Sequence, residues 1–290
     1  MKRLTALLLG LSVGLGFIAA QAAAQETMGP PKVLTAFREF VKPGRGGMVH
    51  EKAESAFVQA VARAKSPTHY LAVGSLSGKP RVLFLTGFDS FEAWEKDINS
   101  TNDNPTLSAA LDRAGFADGD LLSDVDAGAM ILREDYSLRD AVDIAHMRYF
   151  EISAFHVRQG HDKDWDTLVK MYMTAYDKIP DVHWATYQVV YGQDAGTYIV
   201  FNPMKSAAEI DRSFGQNKQF EAAMGEDGMK KLAELSAAAI ESSQTNLFAF
   251  NPKMSYVSDE WVKADPGFWK PKAAAPAGAK KPAEKPAANQ

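Results

Sequence analysis

Two histidines open matching phrases in this chain. His69 begins the run HYLAVGSLSGKPRVLF, and His183 begins HWATYQVVYGQDAGTYIV. In each an aromatic residue follows, Tyr70 or Trp184, and a strand-like stretch leads through a glycine-bearing turn into a second strand. An imidazole changes charge near neutral pH, so two of them facing one space can hold an oxyanion or relay a proton. Carboxylates that could partner them lie in apolar surroundings, at Glu39 and at Glu151 between Phe150 and Ile152. His69, His183 and Glu151 are therefore the catalytic candidates, and His69, Tyr70, His183, Trp184, Tyr187, Glu39 and Glu151 the expected ligand contacts. The alternative for the histidines is a hydrogen bond to a backbone carbonyl. For Glu39 it is an ion pair with Arg38 or Lys42 at the strand end.

Other polar groups promise less. His156, His161, Asp162 and Asp164 cluster around a loop, but their spacing matches no ligand pattern. His50 and Glu54, four apart, read as a surface helix pair, and His146 as part of a linker. PGRGG (43–47) reads as a strand-to-helix turn, because it lacks the lysine and serine of a phosphate loop. The one G-x-S-x-G string, Gly10 to Gly14, falls inside the leader-like apolar run and not at a strand-to-helix turn, and no Walker loop, G-x-G-x-x-G fingerprint or H-E-x-x-H is present. With no cysteine in the chain, thiolate chemistry and disulfides are excluded. Neither a metal site nor a cofactor is expected.

The elements that must position these residues recur at a fixed interval. His69 and His183 are 114 residues apart, as are Gly46 and Gly160, and Gly78 and Gly192. Each half reads as a strand (Val33 to Val41; Met147 to Val157), a helix and a hairpin, then helical segments and a closing strand. The closing strands are expected at Ala127 to Arg133 and Thr245 to Pro252. On the 114-residue register Glu39 and Glu151 share one parity of the first strands, and the mixed polarity there suggests a lined cavity.

The element order of each half is the ferredoxin-like βαββαβ arrangement, with helices on one face of the sheet. Runs such as Val82–Leu85 and Tyr198–Phe201 are apolar on both parities, so the strands must be buried on both faces. The fold class is therefore α+β: two tandem repeats, over 30–140 and 145–262, packed sheet to sheet as one pseudo-dimeric α/β barrel.

The chain ends are different in kind. Lys2, Arg3 and the uncharged run Ala6–Ala20, followed by Ala22-Ala23-Ala24, read as a signal peptide over 1–24, implying a periplasmic or secreted protein with no stable membrane insertion after cleavage. The Ala/Pro/Lys tail over 270–290 has too little apolar surface to order itself. The chain carries −4 overall even with the basic leader and tail, so its body is acidic and unsuited to nucleic acid.

In its order of elements, its repeated histidine–aromatic phrase and its FLTGFDSFEAWEKD stretch (84–97), the chain resembles the dimeric α/β-barrel superfamily in tandem form. That group includes NIPSNAP-type proteins and antibiotic-biosynthesis monooxygenases. The Asn-Trp pairing of its haem-degrading members is not evident here. Function transfers poorly within that group; the leader, with strands buried on both faces and a few polar intrusions, points to an exported protein that binds an apolar or aromatic small molecule. The alternative is a cofactor-independent oxygenase or isomerase using His/Glu acid–base chemistry, and a third reading is a filled barrel acting through its surface. Association into homo-oligomers is left open.

Overall fold

In a computed structural model, residues 29–270 are described; the expected leader and nearly all of the expected tail lie outside them. Eight strands form one closed barrel: β1 (Val33–Val41), β2 (Tyr70–Ser75), β3 (Arg81–Phe88), β4 (Leu122–Leu132), β5 (Tyr149–Val157), β6 (Ala185–Tyr191), β7 (Thr197–Met204) and β8 (Ile240–Phe250). The order round the barrel is β1-β3-β2-β8-β5-β7-β6-β4, with every neighbouring pair antiparallel. Each run of four strands thus has the order 4-1-3-2, and the two runs meet at two seams, β2–β8 and β4–β6. Closure leaves no free strand edge, which removes the hazard of an open sheet.

Helices α1 (Met48–Ala64), α2 (Phe91–Asn102) and α3 (Pro105–Gly119) belong to the first four strands, and α4 (Asp162–Tyr176) and α5 (Ala208–Ala239) to the second four. Gly225, at φ 70 and ψ 171, breaks α5 in two. No helix among the described residues is long and apolar enough to cross a membrane.

The alternation of side chains sorts the core into layers. Leu34, Ala36, Leu71, Val73, Tyr187 and Phe201 belong to the cluster that fills the barrel. Val157, Trp165, Leu168, Tyr198, Leu232 and Leu235 form a separate cluster between the second half-sheet and its helices. Apolar residues on both parities are therefore accounted for by two buried faces.

The repeated glycines hold the seams. Gly192 sits at φ 88, and a Cβ there would come within 2.1 Å of the Ala127 carbonyl on β4. Gly78, at φ 74, would place a Cβ 2.3 Å from Asn246 Oδ1 on β8. Each hairpin turn thus passes under the last strand of the other half, where only glycine fits.

Two boundaries differ from the sequence-based expectation. The closing strands begin earlier, at Leu122 and Ile240 rather than Ala127 and Thr245. Their extra residues, such as Asp124–Val125 and Ser242–Thr245, are exposed yet paired to β1 and β5. Backbone pairing, not burial, makes those segments strands, so hydrophobic patterning could not mark them. The chain also continues past 262 into α6 (Asp259–Ala264) and α7 (Pro266–Trp269). Ser258 and Asp265 cap these helices, and Trp269 is buried against the barrel cluster, its Nε1–H donating to the Ala145 carbonyl at 2.8 Å.

Candidate functional site: a barrel-end cavity and a buried polar quartet

At one end of the barrel the filling stops short and leaves a cavity of about 660 Å³. It lies where β2 and β6 begin and β3 and β7 end, and the segments 140–144 and 257–261 border it. Leu34, Leu71, Leu85, Phe150 and Phe201 give it an apolar wall. His69 and His183 both line it, one from each half of the barrel. Each precedes its strand on the parity of the barrel-filling residues, Leu71 and Val73 in one case, Ala185 and Tyr187 in the other.

The two imidazoles are held differently. The His69 ring stacks on Tyr256, with centroids 4.8 Å apart and planes 20° apart. His183 Nε2–H donates to the Pro203 carbonyl at 2.7 Å. Because a carbonyl can only accept, that bond assigns the proton to Nε2 and leaves Nδ1 as the remaining ring nitrogen.

Tyr187 also lines the cavity, its hydroxyl donating to the Pro31 carbonyl at 2.8 Å. Tyr70 and Trp184 border it, but their rings engage the helix side. Tyr70 meets Phe84 edge-on, while Trp184 packs on Tyr176 and donates from Nε1 to the Tyr136 carbonyl at 2.8 Å.

The two glutamates do not belong to this cavity, and the expected lined face is instead the helix-covered one. Glu151 shares its parity with Phe155, which packs against the cluster beneath α4 and α5, and its charge is felt by Tyr176 of α4. Glu39 likewise points away from the barrel interior. Leu34 and Ala36 set the inward parity of β1, and Glu39 lies on the other. It is buried beneath α1, where His50 Nε2–H donates to its Oε2 at 3.0 Å. The expected pairing of Glu39 with Arg38 or Lys42 is not formed; Arg38 pairs with Asp126 across the β1–β4 ladder.

His50 and Glu54 are likewise not a surface pair. Their side chains are 3% exposed, and with Glu39 and Asp118 they form a quartet inside the helix–sheet layer. His50 Nε2 lies 3.4 Å from Asp118 Oδ1 and 3.8 Å from Glu54 Oε1. Those two oxygens have no hydrogen-bond partner. The four groups offer donor atoms all within 4.8 Å of one another, and they are the residues that could hold a metal.

Burial and mutual charge shape this quartet. Burial disfavours the His50 imidazolium, but the contacts with Asp118 and Glu39 outweigh it and raise His50 to about 9. Burial, reinforced by the charges of Glu39 and Asp118, pushes Glu54 up to about 9. Burial also raises Glu39, against the hydrogen bond from His50. Tyr70 connects the two regions. It borders the cavity, its buried hydroxyl lacks a partner, and burial together with the Glu54 and Glu39 charges drives it above the usual phenol range.

A signal for the quartet was present in the sequence. His50, Glu54, Phe57 and Val61 fall on one stripe of α1, so the polar pair occupies the start of the core-facing row.

No protein-family model matches the chain, and no curated protein is significantly similar to it. Among solved structures, a candidate monooxygenase from Fusobacterium nucleatum shares 10% identity over 77% of this chain and 94% of its own, with a TM-score of 0.48. An anthrone oxidase-like protein shares 13% identity over 78% of this chain and 93% of its own, at 0.47. A chlorite dismutase mutant from Candidatus Nitrospira defluvii shares 9% identity over 80% of this chain and 95% of its own, at 0.44. Likeness this distant carries no argument about chemistry, which rests on the residues themselves.

Proposed function

We propose that this chain is an exported small-molecule-binding protein of the dimeric α/β-barrel type, built from two ferredoxin-like repeats. Its ligand is apolar or aromatic and carries a group that hydrogen-bonds to imidazole. The observation that carries this reading is the apolar cavity of about 660 Å³ lined by His69 and His183 from opposite halves of the barrel. A ligand site commonly joins an apolar body of this size to a few converging polar groups, which supply orientation. The leader-like start supports export to the periplasm or beyond.

A filling variant tests the proposal. Ala185 is buried in the barrel cluster and lines the cavity, so Ala185→Trp should occupy the ligand's volume. Native mass spectrometry of protein isolated without denaturation, together with a thermal-shift panel of aromatic and aliphatic compounds, should find a ligand with the parent protein and none with the variant. Equal binding by a folded Ala185→Trp variant would move the site elsewhere.

The second reading is acid–base catalysis as a cofactor-independent oxygenase or isomerase. It draws on the free Nδ1 of His183, since Nε2 is committed to Pro203. Glu39 and Glu151 lie outside the cavity, so this reading depends on the two histidines. A pH–rate profile left unchanged by His69→Ala and His183→Ala together would reject it.

A further inference from the structure

The quartet has no part in the cavity chemistry, and the fold does not demand it. The corresponding layer over the second half-sheet is filled by Trp165, Leu168, Leu232 and Leu235. Leu168 and Leu232 stand 114 residues after Glu54 and Asp118. The same architecture therefore accommodates aliphatic side chains at these places. Three carboxyl groups and an imidazole in one dry layer are costly without compensation, because each buried charge forfeits its hydration.

Compensation from within the protein is incomplete. His50 Nε2 gives its hydrogen to Glu39. Glu54 Oε1 and Asp118 Oδ1, on side chains 3% and 2% exposed, receive none. Both oxygens lie within 3.8 Å of the same imidazole nitrogen, and the donor atoms of the quartet all lie within 4.8 Å of one another. A buried acceptor without a donor is uncommon in native proteins and calls for an ion or another partner.

The spacing suits a metal ion. In a tetrahedral zinc site with bonds of roughly 2.0–2.1 Å, neighbouring donor atoms are about 3.4 Å apart. From His50 Nε2 the distances to the carboxylate oxygens are 3.0, 3.4 and 3.8 Å. The donors come from three elements: Glu39 from β1, His50 and Glu54 one turn apart on α1, and Asp118 at the end of α3. One imidazole nitrogen and three carboxylate oxygens form a set for a first-row divalent ion.

We propose that Glu39, His50, Glu54 and Asp118 form a structural site for one first-row divalent cation, zinc foremost, that ties α1 and α3 to β1. On binding, His50 releases its Nε2 proton and Glu54 its carboxyl proton to solvent, so that the imidazole presents a lone pair and each carboxylate contributes one oxygen. The cation supplies the positive charge that the unpartnered oxygens lack. With every ligand buried, the site is closed to substrate and acts on stability.

The test uses the full mature chain, unfolded in chelator, refolded, and titrated with Zn²⁺, Co²⁺ or Mg²⁺ alone. Zn²⁺ should bind at one equivalent by native mass spectrometry and raise the unfolding temperature. Co²⁺ should give the visible absorption of a four-coordinate centre, and Mg²⁺ should do neither. Asp118→Asn and Glu54→Gln, which keep side-chain shape, should each weaken Zn²⁺ at least about 100-fold, beyond the loss typical of an outer partner. His161→Ala, at an exposed His161–Asp164 pair, should leave binding unchanged. Absence of stoichiometric zinc in the refolded parent would overturn the assignment. So would full retention by folded Asp118→Asn and Glu54→Gln, or loss of binding in His161→Ala, which would mark a surface site.

Discussion

The two helix–sheet layers of this barrel solve one packing problem in opposite ways. Over the second half-sheet, Trp165 packs on Phe155 and Tyr198, with ring centroids 5.4 and 5.0 Å apart, and Leu168 is 1% exposed. Over the first, the equivalent depth holds His50, Glu54, Glu39 and Asp118. An apolar layer gains from dehydration and close contact, whereas a polar layer must satisfy each buried group separately. The contrast shows that the barrel imposes burial at these positions without imposing their chemistry.

The sharpest way to break this comparison is to exchange the residues. Leu168→Glu should destabilise the protein by more than about 4 kcal/mol, because it replaces a leucine that is 1% exposed with an acid inside an apolar, aromatic layer. Glu54→Leu, in metal-free protein, should change stability by no more than about 1 kcal/mol or raise it, since Glu54 Oε1 has no hydrogen-bond partner to lose and the equivalent place in the second layer holds Leu168. Urea unfolding of both variants checks this; similar large losses would mean that the layers are equally intolerant.

The layers should also separate by pH. In metal-free protein His50 is raised from 6.5 to about 9 on folding and Glu54 from 4.5 to about 9, so the folded state holds protons that the unfolded chain releases. Their stabilising effect is complete below the unfolded values. It falls through pH 4.5–9 for Glu54 and 6.5–9 for His50, by at most roughly 1.4 kcal/mol per pH unit for each proton. Glu54→Gln should flatten the fall that begins at lower pH, and His50→Gln the fall above about 6.5, as read from urea midpoints at successive pH values. A slope unchanged in both variants would place its origin elsewhere.

Smaller effects compare the two histidines of the cavity. His183→Ala and His69→Ala should each weaken a cavity ligand about tenfold, the loss of one hydrogen bond. Titration of the parent and both variants with the same ligand would measure it. Tyr256→Leu, which removes the ring stacked on His69, should cost about 0.5–1.5 kcal/mol of stability. The matching support of His183 is a backbone carbonyl and cannot be deleted by substitution.

Much of the barrel was legible because strands carry a period-two signal and the glycines mark tight turns. The 114-residue spacing of Gly78 and Gly192 marked two places where a strand of the other half crosses a hairpin turn. His69 and His183 stood out by their repetition, but the sequence left open whether they face the barrel interior, and their place at the cavity came from the structure. Glu39 and Glu151 were grouped correctly on one parity, but parity alone does not say which face is inside. That face proved to be the helix-covered one. His50 and Glu54 were hidden by their own polarity, which suggests a surface pair unless the stripe continuing to Phe57 and Val61 is followed.

By itself, the sequence determined the alternation of strands and helices, the recurrence of the histidine phrase and the need for sheets buried on both sides. These follow from local periodicity and residue type, which neighbouring chain segments are enough to express. Tertiary structure alone decided that the barrel filling ends in a cavity bordered by His69 and His183, and that Glu39, His50, Glu54 and Asp118 converge. Both outcomes depend on contacts between distant segments, where the separation of side chains is set by closure of the barrel and docking of its helices.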